Sequence, residues 1–275
     1  MTKLFKNKKA KAAISICLIA AVLIGGAFAL LSAYDSRTNR FTQGTLSLSL
    51  TETNWDATNA QNMLPLQTLR KNPQVINDNK DNIPAWVFMS VKVPSTNAEF
   101  EEGTVPTDKR ADGQPLEAKD VGEYYDLFTL LNEDNTAGVN TTDWELVAYD
   151  ASQRNQDRGF TTYYYVYKTG ALEGHTTVET TTADGETEVP IVEEKGITSP
   201  LFNEVQLVNI AQRPADGKII NKIDVQGCGI QQSNIADVYT AWAIFANQNN
   251  GTNNVSNFTY CNSNYHLNDG IVSFS

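Results

Sequence analysis

The chain is poor in the side chains that carry chemistry. Of its 275 residues, two are histidine and three are cysteine. His175 and His266 both stand in polar segments, and neither belongs to an HExxH helix; Glu173-Gly174-His175 has the wrong spacing and setting for one. Both read as surface imidazoles. The sequence contains no GxSxG elbow, phosphate loop or dinucleotide fingerprint. Gly227-Cys228-Gly229 has no base beside it, so its glycines read as a turn at a strand end. Without a nucleophile-base pair or a metal-ligand set, the sequence points away from an enzyme and implies no cofactor.

So few cysteines exclude a disulfide-dense scaffold. Cys17 lies in an apolar run, which leaves Cys228 and Cys261. In an oxidising exterior that pair could close a loop worth ~3–4 kcal/mol if the geometry suits; in an anaerobic habitat both are tolerable as thiols. Basic residues are also scarce, 21 against 32 acidic ones, for a formal charge of −11. Such a chain is repelled by nucleic acid and by anionic lipid. Cations, basic partners or simple solubility fit better. Asp78-Asn79-Lys80-Asp81-Asn82 and Asn132-Glu133-Asp134-Asn135 offer oxygen donors, but neither matches the twelve-residue calcium loop. They read as solvated turns, and no metal ligand can be named. Internal repeats and heptads are absent.

What the chain does have is a strong amino-terminal signal. Lys3, Lys6, Lys8, Lys9 and Lys11 precede Ala12 to Leu31, an apolar run broken by Ser15. A basic flank stays cytoplasmic while the run enters the bilayer, so the rest is delivered outside. The run suits a cleaved export signal and is also long enough to span as an anchor. The best local fit for a signal peptidase is a cut after Ser32-Ala33, between Ala33 and Tyr34. That cut defines residues 1–33 as a signal peptide and 34–275 as one domain large enough for a real core. Membrane contact then runs only through residues 12–31 before cleavage. Losing the five lysines takes the formal charge from −11 to −16.

The body reads as strands. Leu46, Leu48 and Leu50 alternate with serines, and Ala85 to Val93 puts Val87, Met89, Val91 and Val93 on one face and Trp86 and Phe88 on the other. Pro94 is expected to end that strand. Residues 95–122 read as a long polar insertion, and Tyr124 to Leu131 as a short helix or strand. Trp144 to Tyr149, with Trp144, Leu146 and Ala148 on one face, is expected to form a hairpin with Thr161 to Lys168. Residues 176–195, rich in threonine and acid, read as a projecting hairpin or mobile loop. Leu201 to Ile210 and Lys218 to Val225 are further strand candidates. Ile235, Val238, Tyr239, Trp242, Phe245 and Ala246 repeat at helical spacing, with Ser233 or Asn234 as cap. The asparagine-rich tail from Asn247 to Asn264 reads as turns. Many strands and one flanking helix favour a β-sandwich.

Several segments resemble the TasA/camelysin family of exported bacterial surface and biofilm-matrix proteins. They are Gly25-Gly26, Ser32-Ala33-Tyr34-Asp35 and Phe41-Thr42-Gln43-Gly44-Thr45-Leu46-Ser47-Leu48, with weaker matches at Trp86 to Val93, Thr162 to Lys168, Ser199-Pro200-Leu201-Phe202, Lys222 to Val225, Gly229-Ile230-Gln231 and Ala241-Trp242. The resemblance implies an all-β, jelly-roll-like sandwich with minor helices behind a signal-peptide helix, processed by a dedicated signal peptidase. It also implies a secreted or cell-surface location and self-association into matrix fibres. In fibre-forming members the freed amino-terminal segment inserts as a strand into the next subunit. Here that donor would be Tyr34 to Thr45, with Phe41 as anchor. The alternative is a monomeric surface module that binds a matrix or host-surface ligand through residues 95–122 and 176–195. Some relatives carry a metallopeptidase label, but this chain shows no zinc motif to receive it.

Overall fold

A computed structural model describes residues 32–36, 39–40, 47–52, 63–79, 82–97, 124–156, 158–184, 187–210, 222–248 and 254–275; of these, 32–36, 39–40, 177–184 and 187–193 are described by backbone alone. In chain order the strands are β1 (Ser32–Ser36), β2 (Asn39–Arg40), β3 (Leu48–Glu52), β4 (Thr68–Arg70), β5 (Pro73–Asn77), β6 (Ala85–Thr96), β7 (Tyr125–Asp126) and β8 (Phe128–Leu131). Then come β9 (Trp144–Asp150), β10 (Phe160–Tyr167), β11 (Thr176–Asp184), β12 (Thr187–Lys195), β13 (Glu204–Leu207) and β14 (Asp224–Gln231). Helix α1 (Val238–Gln248) precedes β15 (Phe258–Tyr260), β16 (Tyr265–Asn268) and β17 (Ile271–Phe274).

The main sheet is antiparallel, in the order β15-β9-β10-β6-β14-β1-β2, with β7 pairing to the far end of β6. Its two faces bury two separate cores. On one side Val87, Met89, Val91 and Val93 of β6 join Tyr163, Tyr165 and Trp144 beneath the smaller sheets β3-β5 and β4-β13-β8. On the other, Trp86, Phe88, Tyr164 and Ile230 pack against Trp242, Ala241 and Phe245 of α1 and against the β16-β17 hairpin. A strand buried on both faces has no reason to alternate with polar residues, which explains the apolar run of β6. Two of the buried indoles have their N–H groups satisfied: Trp144 Nε1 donates to the Ser199 carbonyl (3.1 Å) and Trp86 Nε1 to that of Ile235 (3.2 Å). The result is all-β and sandwich-like with one helix.

Several expectations need correcting. Pro94 does not end β6, which runs on to Thr96. The Ser95 amide donates to the Gly159 carbonyl on the β10 side, so the Pro94 nitrogen points the opposite way. There β14 has already stopped, opposite Lys92, and β7 has not begun until Ser95, so no amide is required of residue 94. Tyr124 to Leu131 resolves as strand, divided between β7 and β8. Ala148 does not share a face with Trp144: a bulge between Tyr164 and Tyr165 leaves Val147 as the extra residue, and Val147 and Ala148 both enter the helix-side core.

Gly227 and Gly229 lie within β14 rather than in a turn, and β14 runs beyond the expected end at Val225. Only Glu204–Leu207 of the candidate Leu201 to Ile210 is strand, and β3 starts at Leu48. Helix α1 begins at Val238, capped by Asp237, whose Oδ1 accepts from the amides of Tyr239 (2.9 Å) and Thr240 (2.8 Å). Asn234 instead takes a left-handed turn conformation, φ 63°. The tail carries β15, which adds to the edge of the main sheet.

Residues 176–195 do form a hairpin, β11 against β12 in register from Thr176↔Lys195 to Asp184↔Thr187. Among the described residues no helix is long and apolar enough to cross a membrane. The run Ala12 to Leu31, Phe41, Thr45 and insertion residues 98–122 lie outside the described residues.

Candidate functional site

β14 is where the amino-terminal segment meets the body of the protein. On one side it pairs with β6 over its full length. On the other it takes β1, antiparallel, with Ser32 opposite Ile230, Ala33 opposite Gly229, Tyr34 opposite Cys228 and Asp35 opposite Gly227. The chain then doubles back, so that Asp35 and Ser36 pair with Arg40 and Asn39 of β2. The residues read as the cleavage site, Ala33 and Tyr34, therefore lie in the middle of β1.

The glycines of β14 explain why the overlying sheet can come so close. β3 packs across β14 and β1. A β-carbon at Gly229 would stand 2.6 Å from Leu48 Cδ1 and 2.7 Å from the Trp86 carbonyl oxygen, and one at Gly227 would stand 2.9 Å from Val75 Cγ2. The other face of the strand sends Cys228 and Ile230 into the helix-side core. A buried ion pair holds the far end of β3, Lys71 Nζ to Glu52 Oε1 at 2.6 Å, with both side chains almost fully enclosed. Composition singles out the Gly-Cys-Gly triplet; its role as a packing floor requires the stacking of two sheets, the main sheet and β3-β5.

Cys228 is buried on β14, whereas Cys261 is exposed and its amide donates to the Val147 carbonyl of β9 (2.9 Å). Three strand spacings separate β14 from β9, roughly 14 Å at the usual interval. A disulfide needs Cα atoms within about 7 Å, so this arrangement does not bridge the pair.

A second feature is an open polar cleft of about 710 Å³ lined by Asn132, Asp134, Asn140, Asp143, Ser199 and Asn203, among others. Two of its carboxylates, Asp143 and Asp134, are already engaged by the protein. Asp143 Oδ2 accepts from Ser199 Oγ (2.6 Å) and Asn140 Nδ2 (3.0 Å), which ties the start of β9 to the strap before β13. Asp134 Oδ1 accepts from the Thr136 hydroxyl (2.7 Å) and amide (3.1 Å), and these bonds hold its carboxyl below the usual range. Ser199 has a carboxylate beside it but no imidazole, so the cleft can hydrogen-bond a polar ligand without activating a nucleophile.

The other acidic loop is also used internally: Asn82 Oδ1 accepts from the Gly174 amide (2.9 Å). His266 is exposed on β16, while His175 is half-buried and its amide donates to the Asn77 carbonyl (2.7 Å). Among the described residues no group of three or more His, Cys, Asp or Glu side chains is placed to hold a metal ion.

The sequence model of one family, described as camelysin metallo-endopeptidase, matches residues 4–157. That interval includes the lysine-flanked apolar run, β1 to β3 and the body as far as β9. No curated protein and no solved structure matches the chain. The described residues do not fit the metal that such a description implies, because they provide no ligand set for one.

Proposed function

The chain belongs to the camelysin family, and from that premise we propose that it is an exported structural subunit of a cell-surface or matrix fibre, assembled by donation of its amino-terminal strand. The observation that carries this reading is the antiparallel pairing of Ser32–Asp35 with Gly227–Ile230. It supports two requirements of strand donation: the segment behind the proposed cut is competent as a strand, and β14 offers an edge that accepts one. Backbone hydrogen bonds would supply affinity, and the overlying β3 would select side chains. When the freed segment Tyr34 to Thr45, anchored by Phe41, leaves its own β14 for that of a second copy, the contact is head-to-tail. Such contacts do not close, so they propagate.

Sedimentation and electron microscopy of protein beginning at Tyr34, beside a version lacking residues 34–45, test the reading. Fibres from the first and none from the second are expected. Equal polymerisation of both would sink strand donation.

The polar cleft favours a second reading, a surface module that binds a hydroxyl-rich matrix or host ligand as a monomer. It is weaker, because the hydrogen-bonding groups of Asp143 and Asp134 are partly satisfied within the protein. A particle that stays monomeric at high concentration and binds glycans through Asn140 and Asn203 would favour it.

A further inference from the structure

The register of β1 bears on how assembly would be controlled. Four residues pair β1 with β14, and the cut between Ala33 and Tyr34 falls between the second and the third. In the uncut chain β1 is pinned at both ends. The apolar run ends at Leu31, directly before the strand, and β2 folds back on its other end. The cut removes the partners of Ile230 and Gly229 and leaves those of Cys228 and Gly227. It also places a charged α-amino group on Tyr34, at the first remaining pair, where it competes for water. A strand shortened to two pairs with one free end is expected to fray. The edge it vacates is centred on a glycine, without a side chain to shield it from a new strand.

We propose that β1 is a self-cap on the β14 edge, and that processing between Ala33 and Tyr34 uncaps the Gly229–Ile230 half for the freed Tyr34–Thr45 segment of a second copy. This rests on the strand-donation reading and on that cleavage position. The uncut chain then stays unassembled for two reasons, its membrane run and its occupied edge. Cleavage relieves both.

The test is hydrogen exchange at Gly227–Gln231 in three forms. These are the full chain in a detergent micelle, a chain beginning at Ser32 and a chain beginning at Tyr34, the latter two at dilutions where they are monomeric. The β14 amides that face β6 serve as an internal reference. The outward-facing amide of Gly229 should exchange at least about tenfold faster in the Tyr34 form than in the full chain, with the Ser32 form between them, while that of Ile230, which faces β6, should stay with the reference. The Ser32 form should also polymerise more slowly than the Tyr34 form. Equal exchange in all three overturns the self-cap, whatever polymerises. Faster exchange in the Tyr34 form without fibres upholds the cap and removes strand donation as its purpose.

Discussion

Leu48 lies on Gly229 at a separation that only a glycine tolerates: a β-carbon there would stand 2.6 Å from Leu48 Cδ1. The same β-carbon would meet the Trp86 carbonyl oxygen at 2.7 Å, and a backbone atom of a central strand cannot yield as a side-chain tip can. Gly229→Ala is therefore expected to cost about 1–3 kcal/mol through overpacking, read as a lower urea midpoint. Gly227→Ala should cost less, because its nearest obstacle is the Val75 methyl at 2.9 Å. Equal effects of the two would show that the backbone contact is not what limits the site.

Helix α1 depends on a cap that local patterning misassigns. Asp237 accepts from the amides of Tyr239 and Thr240, and its Oδ2 also accepts from the Thr240 hydroxyl (2.9 Å). Asp237→Ala should cost about 1–2 kcal/mol, while Asp237→Asn should recover part of the loss because its amide oxygen can still accept. Thermal unfolding of the two variants checks the order. An unchanged midpoint for the alanine variant would remove Asp237 as the cap.

Alkaline pH should loosen the attachment of the helix and the carboxy-terminal hairpin. Burial, reinforced by a hydrogen bond from its hydroxyl to Glu145 Oε2 (2.7 Å), pushes Tyr239 up to about 12 from 10.0. Burial raises Tyr265 further, and its hydroxyl donates to the Tyr239 carbonyl (3.3 Å). The folded state holds these protons more tightly than the unfolded chain does. Their contribution is thus whole below pH 10 and declines above it, that of Tyr239 being lost as pH rises through about 12. Urea midpoints should be level to about pH 10 and then fall, and Tyr239→Phe should flatten part of the decline. A flat profile up to pH 12 would refute the linkage.

How far these features could be read in advance depended on how local their causes are. The two faces of β6, the β9-β10 hairpin and the helical stripe through Trp242 were legible because period 2 and period 3.6 are written into neighbouring residues. Pro94, Val147 and the Gly-Cys-Gly triplet misled because their meaning depends on which strand lies alongside: a gap between β14 and β7, a bulge against β10, a sheet pressed onto β14. The cap moved from Ser233 or Asn234 to Asp237 because the chain first makes a turn, with the Ile235 amide donating to the Gln232 carbonyl (2.9 Å). Of the candidate site, the sequence showed the segment around Ala33 and Tyr34. It could not show the acceptor edge, which is defined by pairing across nearly two hundred residues.

That edge is held partly from a distance. Glu52 closes β3, Lys71 stands between β4 and β5, and their 2.6 Å ion pair is enclosed, with 4% and 6% of the side chains exposed. Desolvating two such charges is costly, so the pair need not beat a well-packed apolar replacement, but leaving one partner alone is severe. Lys71→Met removes the ammonium that faces Glu52 at 2.6 Å and should cost up to about 3–5 kcal/mol, whereas Lys71→Met with Glu52→Leu should regain much of that loss. Urea denaturation of both variants separates the cost of a buried carboxylate without its ammonium from loss of the contact itself. Because β3 packs across β14 and β1, the single variant should also speed hydrogen exchange along Gly227–Ile230 more than along the β9-β10 hairpin. If exchange rises uniformly across the sheet, the ion pair supports the whole domain and has no particular hold on the acceptor edge.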